Sequence, residues 1–234
     1  MLFTPIKLLL AAAVLPGLFL AYKINKLDSI EKEPFGLLVE CFFLGALSII
    51  PALILERVGI PILGSILPWY SLSYQIVLNF IVIACSEELS KYIFLKRATW
   101  HHPEFNYRFD GVVYAVCVGV GFAVFENINY VMSYGLFTAI IRAITAVPAH
   151  TIFAIFMGHY YGIAKQYFEE NDLAKAAHFR KMACIVPILL HGFYDFAASS
   201  NSGVMTGVFW IFLICLYVIS IKRIKKDAKN DMPL

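Results

Sequence analysis

Two adjacent acids, Glu87 and Glu88, stand in an otherwise apolar stretch, with Lys91 three and four positions further on. On a helix, residues three and four apart are neighbours, so Lys91 shares a face with Glu87 and reaches Glu88. Two neighbouring carboxyls in a low dielectric do not both ionise easily, and one ammonium neutralises them only in part. Such a pair divides into a proton acceptor and a proton donor, which is what activation of a water requires. A salt-bridge cluster that holds helices together is the plainer alternative, although one carboxylate would suffice for it.

Two imidazoles could complete such a centre. His191 and Asp195 are four apart, so the carboxylate can orient the ring and fix its tautomer. His150 follows Pro148-Ala149 in a second apolar stretch. A catalytic zinc takes three protein ligands and keeps one position open. His150, His191 and one glutamate, Glu88 for instance, could hold such a divalent metal and leave the other glutamate as base, so that either Glu87 or Glu88 takes the proton. There is no HExxH pattern, so a metal-free, glutamate-based hydrolysis stays open beside it. Glu126 is a further candidate. It is either catalytic or the ion-pair partner of Arg142, which lies across a short turn from it.

The stretches that must position these residues belong to a membrane. Of 234 residues, 60% are hydrophobic and 15% charged, against about 25% charged in soluble domains. The mean hydropathy is +0.74. A span needs about 20 mostly apolar residues. Seven stretches meet or approach that length: 5–22, 36–55, 71–95, 109–133, 136–164, 182–199 and 203–221. The expected fold is all-α, a polytopic bundle of about seven transmembrane helices forming a single domain over 1–234. The first stretch has its basic residues after it and no small-residue cleavage site, so it reads as an uncleaved helix. Residues 56–70, with two prolines, two glycines and Trp69-Tyr70, read as a short interfacial connection, or alternatively as a flap over a site. Gly111, Gly119, Gly121, Gly158 and Gly162 would let helices approach closely.

Orientation follows from the basic residues. Fifteen of the 19 lysines and arginines fall in one set of alternate connections; Lys7 and Arg57 fall in the other. Cytoplasmic loops carry that excess, which places the N-terminus outside and the C-terminus in the cytoplasm. At about 1.5 Å of rise per residue, Glu87 lies about 13 Å in from Lys96 and His191 about 15 Å in from Lys181. His150 comes out about 22 Å from Lys165 and Glu126 about 27 Å from Arg108, nearer the outer surface. An ionisable group at such depth costs about 2.5–3.5 kcal/mol on insertion scales and is usually functional. His101, His102 and His178 read as solvated loop residues, and His159 as an interfacial or packing residue. The five cysteines are scattered and odd in number, which speaks against a disulfide framework.

Three ordered motifs bring a family into view. Glu87-Glu88-x-x-Lys91, Phe125-Glu126-x-x-x-Tyr130 and His191-x-x-x-Asp195 resemble the EExxK, FExxxY and HxxxD motifs of the PrsW family. Asp110-Gly-Val-Val-Tyr114 and Pro148-Ala-His150 are similar to it as well. That resemblance implies a multi-pass protease of the bacterial plasma membrane, metal-dependent or glutamate-based. It further implies first-site cleavage of a single-span anti-sigma factor in envelope-stress signalling. The family is similar to the CAAX prenyl proteases, which pair a glutamate dyad with histidines on separate helices. The catalytic set expected here is Glu87, Glu88, Glu126, His150, His191 and Asp195. Partners are a membrane-anchored substrate and the lipid bilayer; nothing points to nucleic acid. The rival from another class is a proton- or cation-coupled transporter, which would favour inverted repeats and interrupted helices. The sequence displays neither. A non-enzymatic scaffold is a third reading, and it would not need the acid pair.

Overall fold

The computed structural model describes residues 6–234. The beginning of the expected first span, residue 5, lies outside them. The chain is helical throughout, with no strand among the described residues. In order the elements are α1 (Ile6–Asn25), α2 (Phe35–Leu47), α3 (Ile49–Ile66), α4 (Leu72–Val77), a π-helical segment (Leu78–Ala84), α5 (Cys85–Thr99), α6 (Asp110–Tyr134), α7 (Leu136–Ile144), α8 (Ala146–Glu169), α9 (Leu173–Ala198) and α10 (Gly203–Lys229).

Six helical stretches are long and apolar enough to cross a bilayer: α1, α2–α3, α6, α7–α8, α9 and α10. The expected third span is the seventh stretch. It runs as helix from Leu72 to Thr99, but Glu87, Glu88 and Lys91 interrupt its apolar character. Those charges are tolerated because this stretch packs against α2, α3, α6 and α9. The result is an all-α, multi-pass membrane bundle.

One expectation is corrected. Residues 56–70 are not an interfacial connection, because α3 continues to Ile66 through Pro61. Only 67–71 link it to α4. In lipid a freed backbone group is re-satisfied by a neighbouring helix, a side chain or a local adjustment of the helix, so proline and glycine are tolerated inside helices there. A second correction concerns the fifth span, which is broken at Thr145 between α7 and α8. Pro148 cannot donate to the carbonyl four residues back. That carbonyl, on Ile144, instead accepts the Tyr217 hydroxyl at 2.9 Å. The break and the π-helical segment are the interrupted helices that the sequence does not display. The turn at Gly135 is as expected, with φ at +87°.

α6 is the axis of the bundle, buried over nearly its whole first half. Close approach is what its small residues permit. A Cβ on Gly121 would fall 1.9 Å from the Phe42 carbonyl oxygen of α2, and one on Gly158 of α8 would fall 2.4 Å from the Gly111 carbonyl oxygen. Gly121→Ala is therefore expected to cost about 1–3 kcal/mol through overpacking. A lowered melting temperature in detergent would register it. Gly36→Ala, which meets nothing within 4 Å, should leave the transition in place.

Candidate active site

The site is built from five helices. α5 carries Glu87, Glu88 and Lys91 one turn after the π-helical segment. π-segments often mark functional sites because they rotate the next turn of the helix. α9 reaches that segment because residue 192 has no side chain: a Cβ there would lie 2.5 Å from Phe80 Cδ1. His191, the preceding residue, is thereby set against Glu88. His150 stands in the first turn and a half of α8, just past the Thr145 break. α6 supplies Glu126 and α7 supplies Arg142.

These side chains form one continuous polar chain. Asp195 Oδ2 lies 3.1 Å from His191 Nε2, and His191 Nδ1 lies 2.9 Å from Glu88 Oε1. Lys91 Nζ donates to Glu88 Oε1 at 2.7 Å and to Glu87 Oε2 at 3.1 Å. The same ammonium stands 3.3 Å from His150 Nδ1. His150 Nε2 is 3.0 Å from Glu126 Oε2, which also accepts from Arg142 Nη2 at 2.7 Å. Arg142 Nε then donates to Asn127 Oδ1, and Asn127 Nδ2 to the Ala13 carbonyl. Since Nδ1 of His150 faces an ammonium, it must accept, which leaves Nε2–H to donate to Glu126. His191 has carboxylates at both ring nitrogens, so Asp195 holds one side of the ring while the other meets the acid pair.

Glu87, Glu88, His150 and His191 are all buried, and each offers a ligand atom within 4.8 Å of the others. Glu126 and Asp195 stand one step behind, each anchoring an imidazole. The Glu126–Arg142 pair is present, and the same Glu126 oxygen also meets His150. A cavity of about 480 Å³ opens beside the cluster, and Glu87, Glu126, His150, His191 and Asp195 line it. Glu88 does not, being 1% exposed. Glu56 and Asn79 also line the cavity. Sequence reasoning missed both, Glu56 by assigning it to a loop and Asn79 for want of any signal. A lone glutamate in an apolar run was the available cue for Glu56. His159, by contrast, is off the site and lies 2.9 Å from Asp227 Oδ2 of α10. The five cysteines are unpaired.

An intramembrane bundle with buried acids and imidazoles beside a cavity defines a class, the membrane-embedded hydrolases. Residues 33–221 match the PrsW family of intramembrane metalloproteases. The chain belongs to that family, and is a multi-pass membrane protease of a bacterium. It is 31% identical to Protease PrsW of Oceanobacillus iheyensis over 226 residues, which span 96% of this chain and 98% of that one. To Protease PrsW of Clostridioides difficile it is 33% identical, covering 92% and 87% of the two chains. Protease PrsW of Bacillus subtilis is 28% identical, covering 96% and 97%. No solved structure matches the chain. A peptidase of this kind acts on membrane proteins within the bilayer, and the family does not favour the transporter reading.

The family description implies a metal, and the donor set fits one. Two carboxylates and two imidazoles converge, and each imidazole has its far nitrogen on a carboxylate, as metal-bound histidines almost always do. In this arrangement the Lys91 ammonium occupies the cationic place among three of the four donors.

Proposed function

We propose that the protein hydrolyses a peptide bond in a single-span membrane protein, with Glu87 as the base. The observation that carries this reading is the inequality of the two acids. Glu87 borders the cavity, whereas Glu88 is enclosed between Lys91 and His191. Glu87 would take a proton from a water in the cavity, and the hydroxide would attack the peptide carbonyl carbon. His150 and His191 border the cavity where the oxyanion would develop, but their ring nitrogens are turned to Lys91, Glu126, Glu88 and Asp195, so they would act there as ligands of a cation rather than as donors. Glu87 would then return the proton to the leaving amine. Glu88 holds the charge balance, and Glu126 and Asp195 hold the two rings.

His150, His191 and Glu88 are the proposed ligands of a zinc-like ion. Such an ion supplies Lewis-acid polarisation of a carbonyl. The expected result is one zinc per chain in protein purified without chelator, lost in the His150→Ala/His191→Ala double variant. Metal analysis of both samples checks it.

We also infer a single proteolytic domain with the N-terminus outside and the C-terminus in the cytoplasm, from the bias of basic residues. The cavity is walled by Glu126 and Tyr130 late in α6 and by Ala198-Ser199 at the end of α9, the ends that this orientation sets outward. An outward-facing site suits a first cut near the outer face of a membrane-anchored regulator. The anti-sigma factors of envelope-stress signalling are the substrate class we propose. Co-expression with candidate single-span anti-sigma proteins tests it. Cleavage by the wild type and not by Glu87→Gln supports the assignment, and intact substrate in both overturns it.

A further inference from the structure

A second group of buried acids lies at the other end of the bundle, where the mechanism makes no use of it. Asp28 and Glu33 come from the α1–α2 connection and Asp110 from the first turn of α6; they are 2%, 7% and 1% exposed. One carboxylate oxygen from each lies within 4.8 Å of the others. The donors around them are already committed to part of the set. The Tyr114 hydroxyl donates to Glu33 Oε2. The Asn106 and Tyr107 amides donate to Asp110 Oδ2 at 3.1 and 2.7 Å. Lys32 directs its ammonium to the carbonyls of Asn25 and Asp28 rather than to a carboxylate. Asp28 Oδ2 is buried and meets no donor at all.

Beside this cluster, Asn25 Oδ1 and Asn106 Oδ1 are also buried acceptors without a donor. Asn25 shares the Lys32 ammonium with Asp28, and Asn106 bonds to Asp110. The shortage is of positive charge and donors, never of acceptors. Three like charges in a small buried space need a counter-ion or a proton. Burial also raises the Asp28 and Glu33 carboxyls from their ordinary values. Of the other charges nearby, Lys32 is positive and partly offsets Asp28, whereas Glu31, Glu104 and Asp231 are acidic.

We propose that Asp28, Glu33 and Asp110 form a binding site for a hard divalent cation, Mg²⁺ or Ca²⁺, separate from the catalytic centre. An all-oxygen, all-carboxylate set suits those ions rather than zinc. The site joins the α1–α2 connection to the beginning of α6. The C-terminal segment is tied to the same place, since Phe109 N donates to Asp231 Oδ1 and Arg108 N to the Met232 carbonyl. A bound cation would clamp these segments together.

The test uses the full-length chain in detergent, stripped with EDTA, with Tb³⁺ as the luminescent probe and Tyr114 as the nearby sensitiser. Excitation of tyrosine is expected to give Tb³⁺ emission that Ca²⁺ displaces, and Mg²⁺ or Ca²⁺ at saturation is expected to raise the melting temperature by about 5 °C. Both signals should vanish in Asp28→Asn and in Glu33→Gln and persist in Glu87→Gln, which separates this site from the catalytic one. Signals that survive both loop variants, or that Glu87→Gln removes, overturn the proposal. So does a wild type that neither binds Tb³⁺ nor shifts with either cation, because a shared proton would then neutralise the acids.

Discussion

Glu87→Gln is expected to lower the rate of substrate cleavage by about a thousandfold, within the usual contribution of a positioned acid or base. The substitution keeps the shape of the side chain and an oxygen for the Lys91 ammonium, now 3.1 Å away. What it removes is the proton acceptor that borders the cavity. The folded protein should therefore remain, with a melting temperature within a few degrees of the wild type. Loss of cleavage together with retained folding separates a base from a structural ion pair. If Glu87→Gln cut substrate at the wild-type rate, the roles assigned to the two acids would be wrong. Glu88→Gln should look different. It leaves Lys91 and His191 facing a neutral amide in an enclosed space, so stability should fall along with activity. Retained function in both variants would instead favour a scaffold.

Lys91→Met is expected to be the most destabilising single change at the centre. The ammonium is 3% exposed and pairs with two acids, one of them 1% exposed. Taking one partner from a buried ion pair typically costs about 3–5 kcal/mol, because the remaining charge is left uncompensated. In a chain of this size that lowers the melting temperature by about 10 °C. The decisive comparison adds zinc. Lys91 occupies two of the three donors proposed to hold a metal, Glu88 and His150, so zinc should restore more stability to Lys91→Met than it adds to the wild type. Thermal melts of both proteins, with and without the ion, give the answer. An equal response would mean that the ammonium and the metal do not share a place. A Lys91→Met variant as stable as the wild type would show that the acids are neutral without it.

The parts of this protein that were legible in the sequence are those governed by helix periodicity and by the cost of charge in lipid. Apolar runs marked seven stretches, six of which are long and apolar enough to span among the described residues, and the turn at Gly135 followed from one residue type. The 3.6-residue repeat put Lys91 beside both acids and Asp195 beside His191 before any packing was known. Glycine positions in α6 and α8 likewise announced close helix contacts. Illegible were the features that depend on which neighbour a helix meets. α3 continues through Pro61, which a helix in lipid tolerates where a connection would be expected in water. The break at Thr145 is stabilised by Tyr217, 73 residues beyond the Ile144 carbonyl that it meets, and no local pattern records that.

Spacing put Glu87 and His191 at comparable depth and left His150 about two turns further in; only the tertiary structure decided that they converge, and that Glu87 turns to the cavity while Glu88 turns inward. It also decided that one oxygen of Glu126 serves both Arg142 and His150. The physical reason is that periodicity fixes which residues share a face of one helix, whereas the direction of that face depends on contacts between helices. Here those contacts are the approach of residue 192 to Phe80 and of residue 121 to Phe42, which place α9 against the π-helical segment and α6 against α2.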